Sequence, residues 1–231
     1  MTLELAIRLT EILLGLVVIQ QSCEYFYKSI HMSSVITVIR AIMGVALILG
    51  IYTPYMCVGL CLITLYMLYR FQGPYNGGSD RMGVLILICL TLYHFMPTIH
   101  YQELAFGYLA IQLILSYVIS GWVKIINPQW RNGMALCDVF LFSTYPQSES
   151  MRKWAHHPRL LIIVSWCVIV FELIFPIFLM SHHTLTIGLI IAAIFHLANA
   201  FLFGLNRFFW TWIAAYPSII WLQYRLLDMP I

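Results

Sequence analysis

Apolar residues run along this chain in blocks of roughly 16 to 22, the length that spans a bilayer core at about 1.5 Å of helical rise per residue. The blocks fall at 5–19, 35–52, 55–69, 82–96, 104–126, 160–180, 185–204 and 208–224. Short polar clusters separate them. Thr53-Pro54 marks a tight turn, and Gly73-Pro74-Tyr75-Asn76-Gly77-Gly78-Ser79-Asp80 is dense enough in turn formers to predict a loop. Arg8 and Glu11 weaken the first block, Arg40 interrupts the second and Pro217 is expected to break the last. In hydrocarbon each backbone amide must be satisfied within its own element, so the blocks are expected to be helices; no ten-residue alternation of a barrel is present. The pattern predicts an all-α membrane protein, a bundle of seven or eight transmembrane helices forming one domain over residues 1–231. Residues 127–158 form the longest polar stretch, expected to lie on the membrane surface with a short amphipathic helix at 134–142.

Composition changes this picture little. Hydrophobic residues are 62% of the chain and charged residues 9%, a balance that leaves a soluble domain of this size without a polar surface. Lipid is the expected solvent. The net charge of +3 is small and scattered over loops, which excludes nucleic acid as a partner. The cysteines at 23, 57, 61, 89, 137 and 167 form no CxxC pair and no zinc spacing, and read as small apolar side chains. Glu4 and Arg8 replace the basic start of a signal peptide, so none is expected.

Lys and Arg positions orient the bundle. With eight spans, Lys28, Arg70, Arg81, Lys124, Arg131, Arg152, Lys153, Arg159 and Arg207 share one side, and only Arg8 and Arg225 lie on the other. The expectation is a multi-pass cell-membrane protein with basic loops in the cytoplasm and both termini outside. Trp122, Trp154, Trp210 and Trp221 near span ends fit interfacial anchoring.

An ionisable group inside a span costs several kcal/mol unless paired or wet, so each is a functional candidate. Glu172 lies in the sixth block, His196 and Asn199 share a face near the middle of the seventh, and Arg40 lies in the second. A structural reading stands beside the functional one: Glu172 pairs with Arg40, or bonds to His196, as polar glue. Glu4, Arg8 and Glu11 are expected to form an interfacial ladder. The adjacent pairs His156-His157 and His182-His183 diverge on a helix, so no metal site is expected. Lys124 closes the fifth block in Ser120-Gly121-Trp122-Val123-Lys124. There an ammonium either snorkels to water or is partly desolvated, and a desolvated amine can take a proton from a weak acid such as a hydroquinone.

Four stretches together resemble the membrane domain of the vitamin K-dependent gamma-carboxylase superfamily, the horizontally transferred transmembrane domain family, which also takes in proteins like sporulation-delaying protein B. They are Asn76-Gly77-Gly78-Ser79-Asp80-Arg81; Ser120-Gly121-Trp122-Val123-Lys124 with Trp130-Arg131-Asn132-Gly133; Phe171-Glu172-Leu173-Ile174-Phe175-Pro176; and His196-Leu197-Ala198-Asn199-Ala200 with Phe208-Phe209-Trp210. The resemblance implies that Lys124 is the base of a quinone-linked oxidoreductase or carboxylase-like reaction. His196 and Glu172 would orient a bound quinone or other lipidic molecule, and Arg40, Asn199 and Trp130 would contact it. The interval from Lys124 to Trp130 is one residue longer than in the carboxylases, and the chain stops at Ile231, so carboxylation of a protein substrate is not expected. Charge asymmetry also puts Lys124 on the cytoplasmic side, whereas the carboxylase reaction faces the lumen. A second reading, from a different class, is a non-enzymatic membrane partner: a subunit of a larger membrane complex, or a maturation or immunity factor for a peptide.

Overall fold

The computed structural model describes residues 1–27, 34–70, 78–142 and 149–227, and among these residues every regular element is helical. The α-helices are α1 Leu3–Tyr27, α2 Ser34–Leu49, α3 Thr53–Arg70, α4 Gly78–Phe95, α5 Ile99–Ile126, α6 Pro128–Arg131, α7 Met134–Phe142, α8 Pro158–Ile174, α9 His182–Phe203 and α10 Asn206–Leu227. Two 3-10 helices, Glu149–His156 and Phe175–Met180, flank α8. Among the described residues, three segments are long and apolar enough to cross a membrane: Ile99–Ile126, Pro158–Met180 and His182–Phe203. A fourth, Val35–Leu49, is equally apolar but shorter. These helices make the chain an all-α membrane protein.

Several boundaries differ from the sequence pattern for identifiable reasons. The first helix continues past residue 19 to Tyr27 because Gln21 and Ser22, polar in sequence, are buried on its packed face. The turn-rich stretch ends sooner than expected. Gly78, Ser79 and Asp80 form the first turn of α4, while residues 71–77 lie outside the described residues. Pro217 does not break α10. It removes only the N–H that would reach the carbonyl of Ile213, and buried Ala214, Ala215, Ser218 and Ile219 hold the helix together on both sides. Pro176, by contrast, does interrupt its α-helix: it deprives the carbonyl of Glu172 of its helical donor, and the chain tightens into a 3-10 helix from Phe175. In α7, Leu136 and Phe140 pack on Ala155, Leu161 and Phe203, and the rings of Phe140 and Phe203 stand 4.9 Å apart. The segment with charges on one side is the neighbouring 3-10 helix, where Arg152 and Lys153 precede buried Ala155.

The chain divides into two compact units, one comprising Met1–Ile111 with Arg207–Ile231 and the other Gln112–Asn206. In the first, α1 and α2 approach closely at two glycines. A Cβ on Gly15 would stand 2.6 Å from the carbonyl oxygen of Gly44, so only hydrogen fits. Gly15→Val is therefore expected to separate α1 from α2 and lower the unfolding midpoint in detergent by several degrees; an unchanged midpoint would show that this contact is dispensable.

Charged groups join the ends of the same unit. Arg8 donates to Glu11 at 2.9 Å and to the carbonyls of Leu47 and Ile48 at 2.7 and 2.5 Å, capping the C-terminus of α2. Glu11, only 3% exposed, also meets His94 Nε2 at 2.6 Å. The expected interfacial ladder is thus a clasp across α1, α2 and α4, with Glu4 exposed and outside it. Arg207 of α10 donates to Glu24 at 3.0 Å and to the hydroxyl of Tyr25 at 3.1 Å, and lies 3.6 Å from Asp80.

Candidate functional site

Tyr117, Ser120, Gly121 and Lys124 recur at intervals of three and four on α5, which places them on one helical face. That face meets α8 in the second unit, and Gly121 sets the distance. A Cβ there would lie 3.0 Å from Glu172 Cβ and 3.0 Å from the backbone nitrogen of Leu173. Because the two backbones come this close, the Lys124 side chain reaches across to Glu172.

Lys124 Nζ donates to both carboxylate oxygens of Glu172, at 2.8 and 2.6 Å, and to Ser120 Oγ at 2.5 Å. Ser120 in turn donates to Glu172 Oε1 at 3.1 Å. The carboxylate side chain is 3% exposed and the lysine 13%, so the pair is largely enclosed by protein, least so at the lysine. Charges held this way attract strongly, and losing either one strands the other in a medium that solvates it poorly.

The Trp130 ring centroid lies 5.2 Å from Lys124 Nζ, supplying a cation–π contact. Its position follows from the chain after α5. Asn127 caps α6 by accepting from Gln129 N at 2.9 Å, and Asn132 Oδ1 accepts from Met134 N at 3.0 Å at the start of α7. Between them Gly133 adopts φ +77°, and a side chain at that residue would meet Ile162 N at 2.9 Å. Ser165 Oγ and Trp166 Nε1 of α8 then donate to the carbonyls of Trp130 and Arg131, at 2.5 and 3.1 Å. The segment is pinned to the same helix that carries Glu172.

Two turns of α5 before Lys124, the hydroxyl of Tyr117 lies 2.9 Å from His196 Nε2. Tyr117 also stacks on Phe175, with ring centroids 4.0 Å apart. Both members of this dyad are buried, at 3% and 5% exposure.

A model of the HTTM (horizontally transferred transmembrane) domain matches residues 95–223. The chain belongs to the HTTM family. No curated protein and no solved structure matches the chain. The matched stretch of the HTTM domain takes in all of the Lys124, Glu172, Trp130 and His196 geometry.

Of the residues singled out by sequence, Lys124, Glu172 and Trp130 come together, and His196 belongs to the separate Tyr117 dyad. The two structural partnerships expected for Glu172 give way: its oxygens are taken by Lys124 and Ser120. Arg40 has its partners within the first unit, where it donates to Gln21 Oε1 at 2.9 Å, lies 2.5 Å from Met67 Sδ and stands 5.9 Å from the Tyr25 ring centroid. Asn199 is not near the middle of its helix but toward the C-terminal end of α9, where its carbonyl accepts from Leu205 N at 3.3 Å. Sequence reasoning gave no role to Ser120, Gly121, Tyr117 or Ser165. The i, i+3, i+4, i+7 spacing of Tyr117, Ser120, Gly121 and Lys124 is the signal that marks three of them.

Proposed function

We propose that the chain is a polytopic HTTM-domain membrane protein of seven or eight spans, in which Lys124 acts as a base on a quinone-like or other lipidic molecule. The observation that supports this most is the Lys124–Glu172 pair itself, a buried acid and amine in contact inside the apolar helices of the second unit. Glu172 can accept the proton that Lys124 must shed before acting as a base, and it can do so without a change of net charge. Ser120 holds both partners in line, so proton transfer needs no rearrangement of the helices. The donor set suits a flat hydroxylated ring: an amine to take the phenolic proton beside the indole face of Trp130. A hydroquinone, when bound, would supply the acidic hydroxyl. The Tyr117–His196 dyad then holds α5 against α9 rather than touching the ligand.

Arginine separates the catalytic role of Lys124 from its structural one, since a guanidinium keeps the charge and the ion pair but does not deprotonate in proteins. Lys124→Arg is expected to give a normal folded yield in mild detergent and to abolish the cellular phenotype of the protein, as is Lys124→Ala. Lipids extracted from the wild-type protein are expected to contain an isoprenoid quinone by mass spectrometry. A Lys124→Arg protein that works like wild type sinks the base assignment. Stoichiometric subunits co-purifying with a quinone-free protein would place the chain in the partner class instead.

A further inference from the structure

A cleft of about 470 Å³ opens where the 3-10 helix Glu149–His156 passes into α8, lined by Trp154, His156, His157, Pro158, Arg159 and Leu160. Its chemistry is mixed. Residues 149–159 carry Arg152, Lys153 and Arg159 against the single acid Glu149. Arg152 is committed to the carbonyl of Leu141. Lys153 and Arg159 are exposed and make no ion pair among the described residues. Next comes Trp154, 46% exposed, with its ring 6.3 Å from that of His157. Beyond it Leu160 and Ile163 share a face of α8 and are 37% and 61% exposed. They open the segment Pro158–Met180, which is long and apolar enough to cross a bilayer.

Cationic, indole and aliphatic side chains thus lie together at the head of an apolar helix. A phospholipid presents the matching set of phosphate, ester and acyl chain. Indoles favour the ester level of a bilayer, and basic groups beside a span attract anionic headgroups. A soluble anion would have no use for the apolar floor, and a zwitterionic headgroup would bring its own cation against Lys153 and Arg159. We propose that this cleft binds the headgroup of an anionic phospholipid, with its phosphate on Arg159 and Lys153, Trp154 at the ester level and an acyl chain along Leu160 and Ile163. The proposal is independent of any reaction at Lys124.

The test follows the unfolding midpoint of the purified full chain in a neutral detergent, titrated with phosphatidylglycerol, phosphatidylcholine or inorganic phosphate. Phosphatidylglycerol is expected to raise the midpoint saturably, and the other two to leave it unchanged. The double variant Lys153→Gln, Arg159→Gln is expected to start from the wild-type midpoint, because both side chains are exposed, and to need about tenfold or more phosphatidylglycerol for the same rise. Should that variant not fold, Arg159→Gln alone carries the comparison, with a smaller loss in the same direction. Equal responses to the two phospholipids, or a variant that responds like wild type, would overturn the proposal. A response to inorganic phosphate as large as that to phosphatidylglycerol would overturn it as well, leaving an anion site with no lipid specificity.

Discussion

Glu172→Leu is expected to destabilise the second unit by about 3 kcal/mol, the cost of leaving one member of a buried ion pair without its counter-charge. The stranded group is the Lys124 ammonium, whose side chain is 13% exposed and whose remaining acceptor is Ser120. Partial exposure lets it relax toward water, which keeps the cost at the low end of the range for buried pairs. The double variant Lys124→Met, Glu172→Leu removes both charges and fills the space with aliphatic atoms, so most of the lost stability is expected to return. Chemical unfolding in detergent, followed by tryptophan fluorescence, reads both. If the single and double variants prove equally unstable, the pair is not an electrostatic unit and the chemistry proposed for it loses its basis.

Gly121→Val is the second large effect, and it acts through distance rather than charge. The added Cβ would lie 3.0 Å from both Glu172 Cβ and the backbone nitrogen of Leu173, and a backbone atom cannot turn aside as a flexible side chain can. Either α8 shifts outward or α5 bends, and overpacking of this kind costs about 1–3 kcal/mol. Gly121→Ala meets the same two atoms with less bulk beyond them, so its effect is expected to be smaller and in the same direction. Because the shift also lengthens the reach from Lys124 to Glu172, the ion pair should weaken with it. A Gly121→Val chain that unfolds at the wild-type midpoint would show that the close approach of the two helices carries no energetic weight.

The helices were legible where the apolar blocks are long. Ile99–Ile126 and His182–Phe203 extend the expected blocks 104–126 and 185–204 by a few residues or less. Composition alone announces them, because a run of that length has no alternative in lipid. The errors fall where polar residues are buried or where a local breaker is overruled. Gln21 and Ser22 look like the end of a helix until their burial is seen, and Pro217 looks like a break until the small buried residues around it hold α10 together. The grouping of Lys124 with Trp130 was readable from the HTTM resemblance. The partner of Glu172 was not. The sequence pointed to Arg40 or His196 instead, since nothing in a linear pattern states which helix faces which.

What the sequence determined by itself is the solvent and the element: 62% apolar residues in blocks of bilayer length leave the helix in lipid as the only state that satisfies the backbone. Tertiary structure alone decided which polar groups meet. Gly121 admits α8 to within contact of α5, so Glu172 faces Lys124, while Arg40 finds Gln21 and Met67. The physical reason is range. Hydrophobic length is a property of consecutive residues, whereas an ion pair between residues 48 apart depends on the packing of two helices to within a few tenths of an ångström.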